Sequence, residues 1–186
     1  MKVTGIICDV GGTLLLTDEL HREAWRRALE LHGLATDDNL SRARSGLAKG
    51  LDSFATAESV TAEAGQARLL ALAKQRYAQV PTPSAANPAT MEWLRGRKSA
   101  VLAAVTHSDE AWTRTMLQLA GVLDHFVFVR GRTDRRRVTK QALLADADAL
   151  LRTWWGADDV VYCGDTEHDR EVAARLALPY VDAASL

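Results

Sequence analysis

The chain has 186 residues, 47% of them hydrophobic and 25% charged, with a formal net charge of −1. That is room for one substantial domain or a compact domain carrying an insertion, and the near-zero charge excludes a global positive field that would recruit nucleic acid or an anionic membrane. No apolar run approaches the roughly 20 residues of a membrane span and the first strand is too short for a signal-peptide core, so a cytoplasmic protein is expected.

The chain opens on an apolar, β-branched run, Lys2-Val3-Thr4-Gly5-Ile6-Ile7-Cys8, that stops at Asp9 and is followed by Val10, Gly11, Gly12, Thr13 and Leu14. This spacing predicts a buried strand that delivers the Asp9 carboxylate to a sharp turn, the place where open α/β sheets bind ligands. Leu20, Ala24, Trp25, Ala28, Leu29 and Leu31 then share one helical stripe, with Thr17 and Asp18 as candidate caps and Gly33 as the stop. From there to about residue 79 no alternating pattern occurs, and helices are predicted near 37–47, 51–64 and 66–78. The proline-rich stretch Pro81–Pro88 is predicted to return the chain from an inserted helical unit, residues 16–83, to a parent domain made of 1–15 and 84–186.

In that parent domain strand and helix alternate. Ala89 to Arg95 suit a helix and Ser99 to Val105 a buried strand ending at Thr106-His107-Ser108. Glu110 to Ala120 suit a helix, and His125 to Val129 a third strand before the arginine-rich loop 130–137. Lys140 to Leu151 read as a helix, Val160 to Cys163 as a fourth strand ending in Gly164-Asp165-Thr166-Glu167-His168-Asp169, Arg170 to Leu176 as a helix, and Pro179 to Val181 as a last strand. The alternation predicts an α/β fold, a doubly wound parallel sheet with right-handed crossovers and an inserted small helical domain. Trp25, Trp154 and Trp155 are read as packing residues.

The two cysteines, Cys8 and Cys163, each end an apolar run and read as reduced core residues, since no Cys or His partners stand at metal-ligand spacing. They also carry a test: if their runs are adjacent strands, Asp9 and Asp165 come together.

Strand ends and a helix start thus supply Asp9, Thr106, Lys140, Asp165 and Asp169 to one sheet edge. Carboxylates, a hydroxyl and a cation together suit metal-assisted phosphoryl transfer, and Mg²⁺ takes oxygen ligands with only one or two carboxylates. Lys140 lies 25 residues before Asp165 and competes with Arg135, Arg136 and Arg137 for the part of the cation.

These segments resemble the four motifs of the haloacid dehalogenase superfamily of hydrolases, in the branch with a helical cap after the first motif, which includes proteins similar to phosphoglycolate phosphatase, β-phosphoglucomutase and phosphonatase. The first motif is matched by Asp9-Val10-Gly11-Gly12-Thr13-Leu14, the second by Thr106, the third by Lys140 and the fourth by Gly164 to Asp169. The resemblance implies a Rossmann-like core and a Mg²⁺-dependent phosphatase for a small phosphorylated metabolite. Asp9 would attack phosphorus, Thr106 would bind a phosphoryl oxygen and Lys140 would neutralise charge. Gly11, Gly12, Thr13, His107 and Lys49 would touch substrate. Asp9, the Gly11 carbonyl and Asp165 would ligate the metal, and Asp169 would hold a metal-bound water or pair with Lys140.

One position departs from the pattern. Family phosphatases carry a second aspartate two residues after the nucleophile, where this chain has Gly11. A positioned acid–base group contributes roughly 10²–10⁴-fold in rate, so its absence predicts weak or redirected turnover. The segment Ala43 to Lys49 resembles the cap motif of phosphonoacetaldehyde hydrolases, whose lysine forms an imine with the substrate, which makes carbon–phosphorus cleavage through Lys49 one alternative. A catalytically impaired fold that only binds its ligand or a protein partner is another.

Overall fold

The computed structural model describes residues 3–42, 63–79, 85–133 and 138–186. The chain divides into two compact units, Met1–Leu16 with Ser84–Leu186, and Thr17–Pro83.

The larger unit is built on a parallel sheet. Its strands are β1 (Gly5–Asp9), β2 (Val101–Asp109), β3 (Phe128–Arg132), β4 (Val160–Gly164) and β5 (Tyr180–Asp182), in the spatial order β3-β2-β1-β4-β5. After β1 the chain builds outward on one side and then returns to lay β4 and β5 on the other. With right-handed crossovers, that reversal puts α5 (Glu110–Leu119) on one face and α6 (Lys140–Trp155) and α7 (Glu167–Arg175) on the other. The carboxyl ends of β1 and β4 meet where the direction of winding changes, the point at which such sheets leave a crevice for ligands.

On the α6 face, Ile7, Ala103, Val105, Val160 and Tyr162 pack against Leu143, Leu144, Ala147 and Leu151 of α6 and Val172 and Ala173 of α7. Each fully buried branched side chain contributes about 1.5–3 kcal/mol, so the anchoring of α6 is large compared with any one polar contact at its start. The register aligns Cys8 with Cys163, both buried and unoxidised, and Asp9 with Val105. Asp165 therefore follows Gly164 just past the end of β4, beside the end of β1, and Thr106 lies one residue beyond Asp9 on β2. The expectation drawn from the two cysteines is met.

The smaller unit contains α1 (Asp18–Leu31), α2 (Asp37–Arg42) and α3 (Glu63–Gln79). Trp25, Ala28 and Leu29 of α1 meet Leu69 and Ala73 of α3 in its core. The opposite face of α1 is polar, with Arg26 paired to Glu23 and Glu30. Segments predicted as helix over 43–62 lie outside the described residues.

Several boundaries differ from expectation. Pro88 does not break a helix but opens α4 (Pro88–Arg95), where its missing N–H costs nothing, with the Asn87 side chain capping the Ala89 amide at 3.2 Å. Thr17 precedes α1 without a side-chain capping bond. The third strand begins at Phe128 because Leu123–His125 form a 3-10 turn, so Arg130 and Arg132 lie in the strand and not in a loop. Strand β2 runs on through Thr106, His107 and Ser108 to Asp109, with a register irregularity after Val105. The last long helix starts at Glu167, not Arg170, because Thr166 and Asp169 form a reciprocal capping box. Trp25 is fully buried and Trp155 rests on Phe128, but Trp154 is 75% exposed and does not pack as expected.

Candidate active site

Asp9 ends β1 with its carboxylate buried. The turn after it is fixed by Gly12, whose φ of 84° lies in the left-handed region and whose N–H donates to the Leu15 carbonyl at 2.8 Å. Gly11 is not among the residues with positive φ, so the backbone requirement assigned to the glycine pair falls on Gly12. Gly12 has a second reason to lack a side chain: a Cβ there would sit 2.7 Å from Cγ of Asp165. Gly164 plays the same part for Asp169, whose Cγ would be 2.8 Å from an added Cβ. The two glycines thus let both carboxylates of the fourth segment crowd against the strand ends.

Thr13, fully buried, donates its hydroxyl to Oδ1 of Asp165 at 2.9 Å, bridging two segments separated by 152 positions. Lys140 is the first residue of α6, capped by the Thr139 side chain accepting from the Ala142 amide. A cation at a helix N-terminus opposes the helix dipole. Its placement is explained by what it meets: Nζ lies 2.8 Å from Oδ1 of Asp9 and 2.5 Å from Oδ1 of Asp169. Asp169 also accepts from the Tyr162 hydroxyl at 2.7 Å and from the Thr166 amide at 3.1 Å, and the Thr166 hydroxyl donates to its Oδ2.

Oxygens of Asp9, Asp165 and Asp169 lie within 4.8 Å of one another. Among the described residues Lys140 is the cation paired with them, and against it ionising all three carboxylates leaves two negative charges uncompensated. The electrostatics register the strain. Burial, with Asp169 and Asp165 adding to it, pushes the Asp9 carboxyl up to about 6 in spite of Lys140. Burial likewise raises Asp165, against the Thr13 hydrogen bond. Burial disfavours the charged Lys140, but Asp9 and Asp169 outweigh it and hold its pKa above the usual lysine value. Asp169 is pulled below the carboxylate range because Lys140 and its hydrogen bonds overcome burial. A divalent cation held by hard carboxylate oxygens would cancel the remaining charge, so the donor set fits one.

Thr106 is buried, and its hydroxyl oxygen accepts from the Ser108 amide at 3.1 Å. The His107 ring lies on the α6 side, with Nε2 3.2 Å from the Val138 carbonyl. A carbonyl only accepts, so Nε2 carries the proton and the neutral ring presents Nδ1 as its lone pair. Burial lowers the His107 pKa against the Val138 hydrogen bond, with Arg132, Lys140 and His168 adding to the effect.

The structure thus brings Asp9, Gly12, Thr13, Lys140, Asp165 and Asp169 into one constellation, with Gly11, Thr106 and His107 on the adjoining turn and strand end. Lys49 and Arg135 to Arg137 lie outside the described residues. Sequence reasoning missed Tyr162, Thr166 and the spatial role of Gly164. Tyr162 stands in a run of valines and reads as core. The available signal was the [ST]-x-x-[DE] spacing of Thr166 and Asp169, which marks a capping box.

The family model for haloacid dehalogenase-like hydrolases matches residues 3–176, and the chain belongs to this family of hydrolases. No curated protein matches it. Among solved structures, a haloacid dehalogenase-like hydrolase from Streptococcus pneumoniae aligns with a TM-score of 0.77 at 17% identity, over 97% of this chain and 84% of that one. A predicted phosphoglycolate phosphatase from Haemophilus somnus gives 0.74 at 18%, over 98% and 85%. The protein tyrosine kinase A of Mycobacterium tuberculosis gives 0.73 at 24%, over 97% and 83%. At these identities the likeness is one of fold. No described helix is long and apolar enough to cross a membrane.

Proposed function

We propose that this hydrolase is a Mg²⁺-dependent phosphatase of small phosphorylated metabolites, working through an aspartyl-phosphate on Asp9. The observation that carries the reading is the buried ion pair of Asp9 with Lys140 beside the Asp165 and Asp169 carboxylates, at the sheet's winding reversal. A phosphatase named among the fold neighbours supports the substrate class.

Asp9 attacks phosphorus. The new bond forms from its carboxylate oxygen, the ester P–O bond breaks, and the leaving oxygen takes up a proton. Water then attacks the same phosphorus, the Asp9–phosphorus bond breaks, and inorganic phosphate and the free carboxylate result. Lys140 keeps Asp9 ionised and offsets charge on the transferring group, while Thr106 and the Gly11 and Thr13 amides donate to phosphoryl oxygens, the Gly12 amide being held by the Leu15 carbonyl. Asp9, Asp165 and the Gly11 carbonyl would hold Mg²⁺, which supplies charge neutralisation and orientation of the phosphoryl group. The helical unit, residues 16–83, would select the substrate.

Gly11 has no proton to give, so the turnover is slow or the proton comes from water, from substrate or from another side chain. A panel of phosphomonoesters with Mg²⁺, run beside Asp9→Asn, tests the proposal: at least one ester should release phosphate, and the release should vanish in the variant. Release that survives Asp9→Asn refutes the reading. The side-chain-free Gly11 also favours a second reading, carbon–phosphorus cleavage through a Lys49 imine, which needs no carboxylic acid there. Borohydride trapping with phosphonoacetaldehyde would label Lys49 in that case and leave it unlabelled otherwise.

A further inference from the structure

Tyr162 sits in the middle of β4, aligned with Ile7 of β1 and fully buried among the side chains under α6. A buried phenol needs a hydrogen-bond partner, and this one donates to Oδ1 of Asp169, seven residues downstream. Phenylalanine would fill the same space without that bond, so packing alone does not account for the hydroxyl.

An ionised carboxylate offers about four acceptor sites. Asp169 receives four donors: Lys140 and Tyr162 on Oδ1, and the amide and hydroxyl of Thr166 on Oδ2. Its acceptor capacity is therefore filled by protein. For Asp165 the donors differ, with Thr13 reaching one oxygen across the site. The three carboxylates stand close together but are not equivalent toward a cation.

We infer that Tyr162 is a positioning residue: its hydroxyl fixes Asp169 as the dedicated counter-ion of Lys140 and leaves the divalent cation to Asp9 and Asp165. Its place in the strand is suited to this. The phenol comes from the buried centre of the sheet, whereas Thr166 is half-buried at the start of α7, so the sheet core sets the Oδ1 end of Asp169 and the helix cap sets the Oδ2 end. Lys140, held between Asp9 and Asp169, then has a fixed position against the reacting carboxylate. The inference rests on the metal-assisted reading of the site, but its first readout needs no substrate.

The test is Tyr162→Phe, alone and combined with Asp169→Asn, with the Mn²⁺ dissociation constant measured by calorimetry on the full chain. Tyr162→Phe opens one acceptor site on Asp169 to the cation, and the dissociation constant should tighten by about threefold or more. On any ester the wild type turns over, kcat should fall about tenfold or more, the usual scale for a supporting partner, with KM little changed. Because Tyr162 acts through Asp169, Tyr162→Phe should add nothing further in the Asp169→Asn background. Unchanged Mn²⁺ affinity in a folded Tyr162→Phe protein, or additive effects in the double variant, would show a tyrosine that merely packs. If Tyr162→Phe does not fold, a crystal structure of the wild type with Mn²⁺ decides: Asp9 and Asp165 should ligate the ion and Asp169 should keep the Tyr162 bond. An Asp169 oxygen on the ion would overturn the inference. Failure of the phosphatase proposal would appear separately, as absence of turnover with the Mn²⁺ result intact.

Discussion

Gly11→Asp places a carboxylate two residues after Asp9, where the proposed mechanism lacks a proton donor for the leaving group and an acceptor for the attacking water. The backbone should accept it. Gly11 lacks the positive φ that Gly12 has, so the substitution carries no left-handed penalty, and fewer unfolded conformations favour the folded state by about 0.4–1 kcal/mol. The electrostatic effect opposes this. Asp9, Asp165 and Asp169 already carry more negative charge than Lys140 offsets, and a fourth carboxylate nearby raises the imbalance unless a divalent cation is present. The variant should therefore be slightly less stable than the wild type without Mg²⁺ and at least as stable with it. Turnover is where the large change belongs: a positioned acid–base group is worth roughly 10²–10⁴-fold, or about 3–5 kcal/mol of barrier. Steady-state phosphate release at saturating Mg²⁺, with thermal melts in the presence and absence of the ion, measures both. A folded variant that binds Mn²⁺ as the wild type does and shows no rise in kcat refutes the argument that the missing carboxylate limits the enzyme.

Three further outcomes follow from the same geometry. Lys140→Met should destabilise the fold by about 3–5 kcal/mol in urea unfolding, because it strands the buried Asp9 and Asp169 carboxylates. Gly12→Ala should cost about 1–2 kcal/mol from its positive φ and weaken Mn²⁺ binding as the new Cβ displaces the Asp165 carboxylate, whereas Gly33→Ala, with a similar φ and nothing within 4 Å, should cost only the backbone part. Burial lowers the His21 pKa to about 4, against Asp18, while an unfolded histidine titrates near 6.5. As pH falls from 6.5 toward 4 the unfolded chain takes the proton and the folded one does not, so stability drops by up to about 3 kcal/mol in this window. His21→Phe should flatten that part of the pH–stability curve, and a wild-type slope in the variant would remove His21 as its source.

The amino-acid sequence determined the class of fold and which residues stand at strand ends. Apolar runs that stop at Asp9, Thr106 and Gly164-Asp165 have no good alternative to strands of a parallel sheet, since the alternation with helical stripes leaves no hairpin to form. The endings at Cys8 and Cys163 tied Asp9 to Asp165 on the condition that the two runs are neighbours, and the β1–β4 pairing meets it. Helix and strand limits were less legible where a side chain reaches a few residues along to cap an end, as at Thr166 and Asp169, or where a 3-10 turn delays a strand, as at Leu123–His125. Which glycine carries the turn, and which oxygen each carboxylate offers to whom, only the tertiary structure decided. Gly12 is required by Asp165, and Thr13 by the same carboxylate 152 positions away, while Tyr162 earns its hydroxyl through Asp169. Hydrogen bonds are directional and short, so their choice depends on where folded strands bring donors within 3 Å, which composition and periodicity do not encode.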